Sequence, residues 1–96
     1  MTFLVDGRPV RYDLVPNAQM MAEVLAYIEH GAVPGPFLKA IVSNDLVATV
    51  TNADTMNCYL IYEWCRWLFN YAPRDSFGSP QNYQSWLGIY RSSSRD

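Results

Sequence analysis

Tyr59, Tyr62, Arg66 and Asn70 recur at intervals of three and four residues, so a helix would place them on one face. Two tyrosine rings beside a guanidinium can stack on a planar ligand and hold an anionic group through charge-assisted hydrogen bonds. On a 100° wheel Thr55 and Glu63 join them in one narrow polar stripe. The competing reading is the solvated face of an otherwise buried helix. A second cluster is Asn44-Asp45 with Ser43 and Lys39 close in sequence. A helix starting there would expose backbone N–H groups able to receive an anion, although an Asp45 cap would already occupy them. Here the competing reading is a plain helix–helix corner. Ligand binding is therefore assigned to Arg66, Tyr59, Tyr62 and Asn70, with Lys39 and Asn44 as second choices.

Residues for catalysis are scarce. His30 is the one histidine, and nothing near it marks a nucleophile to activate. Asp45 and Asp54 read as helix caps, and Glu63 with Arg66 as an i, i+3 surface pair worth a few tenths of a kcal/mol. Cys58 and Cys65 do not form a Cys-x-x-Cys pair, and no Gly-x-Gly-x-x-Gly occurs, so no metal, phosphate loop or cofactor is expected. The chain reads as a non-enzyme with no catalytic residues. On one helix the two cysteines would lie about 10 Å apart along the axis, beyond the roughly 7 Å that a disulfide tolerates. They are expected as reduced thiols packed in the core.

Several elements must position these residues. Asp6-Gly7 is a two-residue turn signal, so residues 2–14 read as a β-hairpin with Val5 opposite Arg8 and Phe3 opposite Val10. Phe3, Val5, Val10 and Tyr12 would share the inner face. Asn17 caps a helix over 18–30, whose Met20, Met21, Val24, Leu25 and Ile28 form an apolar stripe and which ends at Gly31. Gly35-Pro36 starts the next helix, with Phe37, Leu38, Ile41 and Val42 inward. Asn44 ends it, and Asp45 caps a short piece over 46–51, whose β-branched run is weakly helical. A long helix follows from Ala53 or Thr55 to Tyr71, with Thr51 and Asp54 as a loose capping box. Its apolar arc exceeds 200°, wider than a surface helix needs, so it is either central or partly a subunit interface. Ala72-Pro73 stops it. Ser79-Pro80 opens the last helix, with Tyr83, Trp86, Leu87 and Tyr90 spaced i, i+3, i+4, i+7.

The expected fold is mainly α (α+β): a four- to five-helix bundle with an N-terminal β-hairpin. It is a single domain over 1–96, with the bundle over 17–91 and a disordered tail over 92–96. Ninety-six residues suffice for one core without metals or disulfides. Half the residues are hydrophobic and 15% aromatic, so part of that surface is expected between subunits, with a dimer favoured among homo-oligomers. A net charge of −2 argues against general nucleic-acid binding, which needs excess basic charge. The start, MTFLVDGRPV, lacks the basic region of a signal peptide, and the most apolar window, 58–72, is too short to span a membrane. A cytoplasmic location is expected.

The segments PGPFLKAIVSNDL, NAD with Asn57 after it, FNYAP, FGSP and SWL, in that order and spacing, resemble a family of small, mostly uncharacterised proteins of tailed phages and prophages. The resemblance covers about 27–87. The chain departs from the family pattern at Pro36 (Gly), Asn52 (Arg) and Phe77 (Trp), and the lost Arg weakens any ligand role at position 52. The resemblance implies a phage origin and an accessory role in the host cytoplasm. The expected function is to counter a host defence by binding, either by sequestering a small nucleotide signal or as a protein–protein module that inhibits a host protein; a structural homo-oligomer is the remaining alternative.

Overall fold

The computed structural model describes residues 4–5 and 7–93, with side chains from Gly7 to Tyr90. The fold is mainly α. Two short strands, β1 (Leu4–Val5) and β2 (Arg8–Pro9), pair antiparallel and precede five α-helices: α1 (Met21–His30), α2 (Pro36–Val42), α3 (Leu46–Asn52), α4 (Ile61–Tyr71) and α5 (Pro80–Ser93). Val5 pairs with Arg8 as the turn signal predicts, across Gly7 at φ +80°. The expected partner of Val10, Phe3, lies outside the described residues. The second strand is shorter than expected: after the buried Val10 the chain winds into a 3-10 turn over Tyr12–Leu14. Arg11 closes a two-pronged ion pair on Asp13, at 2.9 and 2.7 Å, around the start of that turn.

Cap chemistry sets most helix boundaries. Asn17 Oδ1 accepts from Gln19 N at 3.1 Å and opens a 3-10 turn that runs into α1. Gly31, at φ +65°, closes α1 with the 5→1 bond of a left-handed cap, Gly31 N donating to Tyr27 O, while Ala32 N donates to Ala26 O, both at 3.1 Å. Pro36 stands at the first position of α2. Asn44 takes the left-handed conformation at φ +59°, and Asp45 Oδ1 then accepts from Ala48 N at 3.1 Å to start α3. Ser79 Oγ accepts from Asn82 N at 3.0 Å at the head of α5. That helix extends to Ser93, so two residues assigned to the tail are helical. Residues 94–96 lie outside the described residues.

The long helix ending at Tyr71 begins later than the sequence suggests. Asp54 is itself the cap: its Oδ1 accepts from Asn57 N at 2.7 Å and starts a 3-10 turn over Asn57–Tyr59. Leu60, at φ −109° and ψ 6°, breaks the geometry before α4. The break is held by a buried polar node. Asn57 Oδ1 accepts from Asn17 Nδ2 at 3.2 Å and Trp64 Nε1 at 3.1 Å, while Asn57 Nδ2 donates to Met20 Sδ at 3.2 Å. Asn17 and Asn57 are both buried, so these bonds offset a desolvation cost that would otherwise stand alone.

One core joins α1, α2, α4 and α5, and α3 adds no apolar residue to it. Val24, Tyr27, Ile28, Leu38, Val42 and Trp64 are its largest fully buried apolar side chains. Trp64 meets Phe37 edge-on at 5.9 Å and Trp67 at 6.5 Å, and Tyr27 stacks on Tyr83 at 5.9 Å. Indole and phenol hydrogens find carbonyls across the core: Trp86 Nε1 donates to Tyr27 O at 3.2 Å and Tyr27 Oη to Ser76 O at 2.7 Å. The core covers only part of the apolar arc of α4. Trp64, Trp67 and Leu68 are buried, but Phe69 is 66% exposed and Cys65 lies at the surface. Cys58, in the turn before α4, is exposed as well, so neither thiol is in the core as expected. The late start of α4 takes Cys58 off the helix, and Cys65 falls 100° round the wheel from Trp64.

Candidate functional site

The core-facing residues of α4 fix where its other side chains go. With Trp64, Trp67 and Leu68 inward, Arg66, Asn70 and Glu63 emerge on one flank and Cys65 and Phe69 on the other. Each flank borders a separate depression.

The first is a cleft of about 230 Å³ lined by Leu14, Pro16, Glu63, Arg66, Trp67, Asn70 and Tyr71. Its floor is rigid. Trp67 Nε1 donates to Arg11 O at 3.0 Å, and the Trp67 ring lies 6.5 Å from Tyr12 and 6.4 Å from Tyr71. Tyr12 in turn donates to Glu29 Oε2 at 2.5 Å. Burial, then that bond to a carboxylate, pushes the Tyr12 phenol far above its ordinary pKa, so it stays a donor at any physiological pH. The Arg66 guanidinium lies 5.8 Å from the centre of the Tyr62 ring, a cation–π arrangement at the rim. Among the described residues the one ion pair is Arg11–Asp13, so Arg66 and Glu63 are not bridged as the i, i+3 reading proposed. Arg66 thus presents a guanidinium on an aromatic support, above a cleft with a carboxylate on its wall.

The six predicted ligand residues do not form one site. Arg66 and Asn70 line the cleft together, and Tyr62 backs the Arg66 guanidinium. Tyr59 stands ahead of the Leu60 break, 83% exposed, so the stripe is interrupted there. Lys39 turns toward α5, its Nζ 5.9 Å from the centre of the Tyr83 ring. Asn44 borders the other depression. The head of α3 holds no vacancy for an anion, because Asp45 accepts from Ala48 N there and Thr49 Oγ1 donates to Asp45 O at 2.6 Å.

That second depression is a groove of about 370 Å³ lined by Ile41, Asn44, Cys65, Leu68, Phe69, Phe77 and Gly78. No lining residue is charged. Its edge is tied to α2 by Gly78 N donating to Val42 O at 2.8 Å. Sequence reasoning missed this groove and the contribution of Leu14 and Pro16 to the cleft. The signal for Phe69 was present in the over-wide apolar arc; Leu14 and Pro16 carried none, because they reach the cleft through the unpredicted turn over Tyr12–Leu14.

Among the described residues no group of His, Cys, Asp and Glu could hold a metal ion, and no helix is long and apolar enough to cross a membrane. No family model, curated protein or solved structure matches this chain.

Proposed function

We propose that this chain is a non-enzymatic phage accessory protein that counters a host defence by binding a host protein through the Tyr62–Arg66–Asn70 flank of α4. The phage setting rests on the motif resemblance. The protein partner rests on one observation: the cleft beside Arg66 offers about 230 Å³, below the roughly 300–1,000 Å³ of sites that enclose a small molecule. That volume suits one side chain of a partner. Glu63 on the wall also opposes a second phosphate, whereas a single carboxylate or phenol can approach Arg66 from the open side. Exposed tyrosine and arginine over a firm aromatic floor are the residue types that carry most of the energy at protein interfaces.

Tagged wild-type chain and the variants Arg66→Ala and Tyr62→Ala test this in pull-downs from host lysate and in a phage-protection assay. Both side chains are exposed, so their loss leaves the core intact. A stoichiometric host protein retained by wild type and weakened about 30-fold or more by Arg66→Ala, a hot-spot loss of about 2 kcal/mol, together with lost protection, is the expected result. Unchanged capture and protection in both variants refutes it. The second reading, sequestration of a nucleotide signal, draws on the Tyr62–Arg66 stack; a nucleotide co-purifying with wild type and absent from Arg66→Ala would select it.

A further inference from the structure

We propose that the groove between α2, α4 and the loop before α5 receives helix α3 of a second copy of this chain, in a two-fold dimer. The first ground is α3 itself. Its seven residues, LVATVTN, include four β-branched residues of low helix propensity. Thr49 alone is buried, while Leu46, Val47 and Val50 are 70%, 73% and 53% exposed. A helix this short and this poorly formed by propensity depends on packing; it packs on α2, but that contact leaves Leu46, Val47 and Val50 uncovered.

The second ground is complementarity. No residue of α3 is charged, and no residue lining the groove is charged. Two copies of net charge −2 repel each other weakly, so their contact is favoured where neither face carries charge. The groove walls include Phe69, 66% exposed, and Phe77, partly exposed. The third ground is position. Asn44 lines the groove and lies two residues before Leu46, so α3 starts beside the groove. A two-fold axis between them makes each copy fill the other, the reciprocal contact that a closed dimer requires. Leu46, Val47, Val50 and Phe69 together expose on the order of 400 Å² of apolar side chain per copy. Two copies then contribute about two-thirds of a 1,200 Å² interface, the apolar share found in homodimers.

The cysteines supply the test. Cys65 lines the groove and Cys58 does not, and both are exposed in a single chain. Sedimentation of the full chain gives the association state and dissociation constant. At ten times that constant, mass action leaves roughly a fifth of the chains monomeric, so Cys65 should react with a disulfide reagent about fivefold more slowly than in a monomeric variant, with Cys58 as the internal reference. Val47→Asp supplies the monomer: it puts a charge on the docking face but sits in the first turn of α3, where a carboxylate favours the helix. The expected result is a dimer with Cys65 protected, and a Val47→Asp monomer with unchanged circular dichroism and a fast Cys65. A monomeric wild type at several hundred micromolar overturns the proposal, as does a dimer in which Cys65 stays unprotected or one that survives Val47→Asp. None of these measurements involves Arg66, so this proposal and the host-protein reading fail separately.

Discussion

Replacing Asn57 by Ala should be among the most damaging single changes in the chain, although Asn57 touches neither depression. The side chain is 3% exposed and serves three partners at once. Removing it leaves the Trp64 indole N–H and the Asn17 amide without their acceptor, in a region where among the described residues no buried side-chain N or O atom lacks a partner. Each orphaned donor costs about 1–3 kcal/mol, so the variant should lose about 3–4 kcal/mol. A domain of this size has roughly 5–14 kcal/mol in total. Urea titration followed by circular dichroism should show the midpoint fall by about 2 M for a slope near 1.5–2 kcal/mol/M. Repeating the substitution in a Trp64→Phe background removes one of the orphans beforehand, and the added cost should shrink by about 1–2 kcal/mol. Because the node fixes the Leu60 break, amides in the first turn of α4 should also exchange faster in Asn57→Ala. A loss under about 1 kcal/mol, or full additivity with Trp64→Phe, refutes the claim that this node anchors the entry to α4.

Gly31→Ala should destabilise by at least about 2–3 kcal/mol in thermal melts, since φ is +65° and the new Cβ would lie 2.3–2.6 Å from three carbons of Tyr90. Asp45→Ala should cost about 1 kcal/mol and raise exchange at the Ala48 amide, because the cap bond to that amide is lost. Burial raises the phenol pKa of Tyr27 in the folded chain above the unfolded value near 10. The protonated form is therefore favoured by folding: that contribution is complete below pH 10 and is lost as pH rises through the folded pKa. Stability measured from pH 8 to 11.5 should decline above 10, and Tyr27→Phe should flatten the decline while costing about 1–2 kcal/mol at pH 8 through the lost bond to Ser76 O.

Local signals with one physical meaning translated directly into structure. Gly31, Gly35-Pro36, Asn44-Asp45 and Ser79-Pro80 mark their helix ends because left-handed backbone, a missing N–H and a capping oxygen act over two or three residues. The errors lie where a distant partner decides. The node of Asn17, Met20 and Trp64 on Asn57 sets the 3-10 turn and break at 57–60, and its partners stand up to 40 residues from Asn57. A continuous helix was the better local reading; the break removed Tyr59 from the stripe and Cys58 from the core. Lys39 is similar, since its place over Tyr83 depends on how α5 crosses α2. Periodicity located Arg66 and Asn70 correctly relative to each other, but Leu14 and Pro16 opposite them come from a turn that no pattern announces.

The width of the apolar arc on α4 now has a physical division. An arc of 200° exceeds what one core contact can cover, and in the structure it splits. The sector from Trp67 through Trp64 to Leu68 goes into the core, while the sector with Cys65 and Phe69 forms a wall of the groove. Arg66 and Asn70 begin the polar sector beyond it and face the cleft. One eleven-residue helix therefore separates a neutral groove from a cleft that carries a guanidinium and a carboxylate. An uncharged groove and an uncharged α3 suit a contact that is buried for good, since neither surface leaves a charge to desolvate. The Arg66 flank keeps its charges solvated and free of ion pairs among the described residues, which suits encounter with a separate partner. Under the two proposals self-association falls to one side of α4 and recognition to the other, and a dimer built through the groove would leave the Arg66 cleft of each copy open.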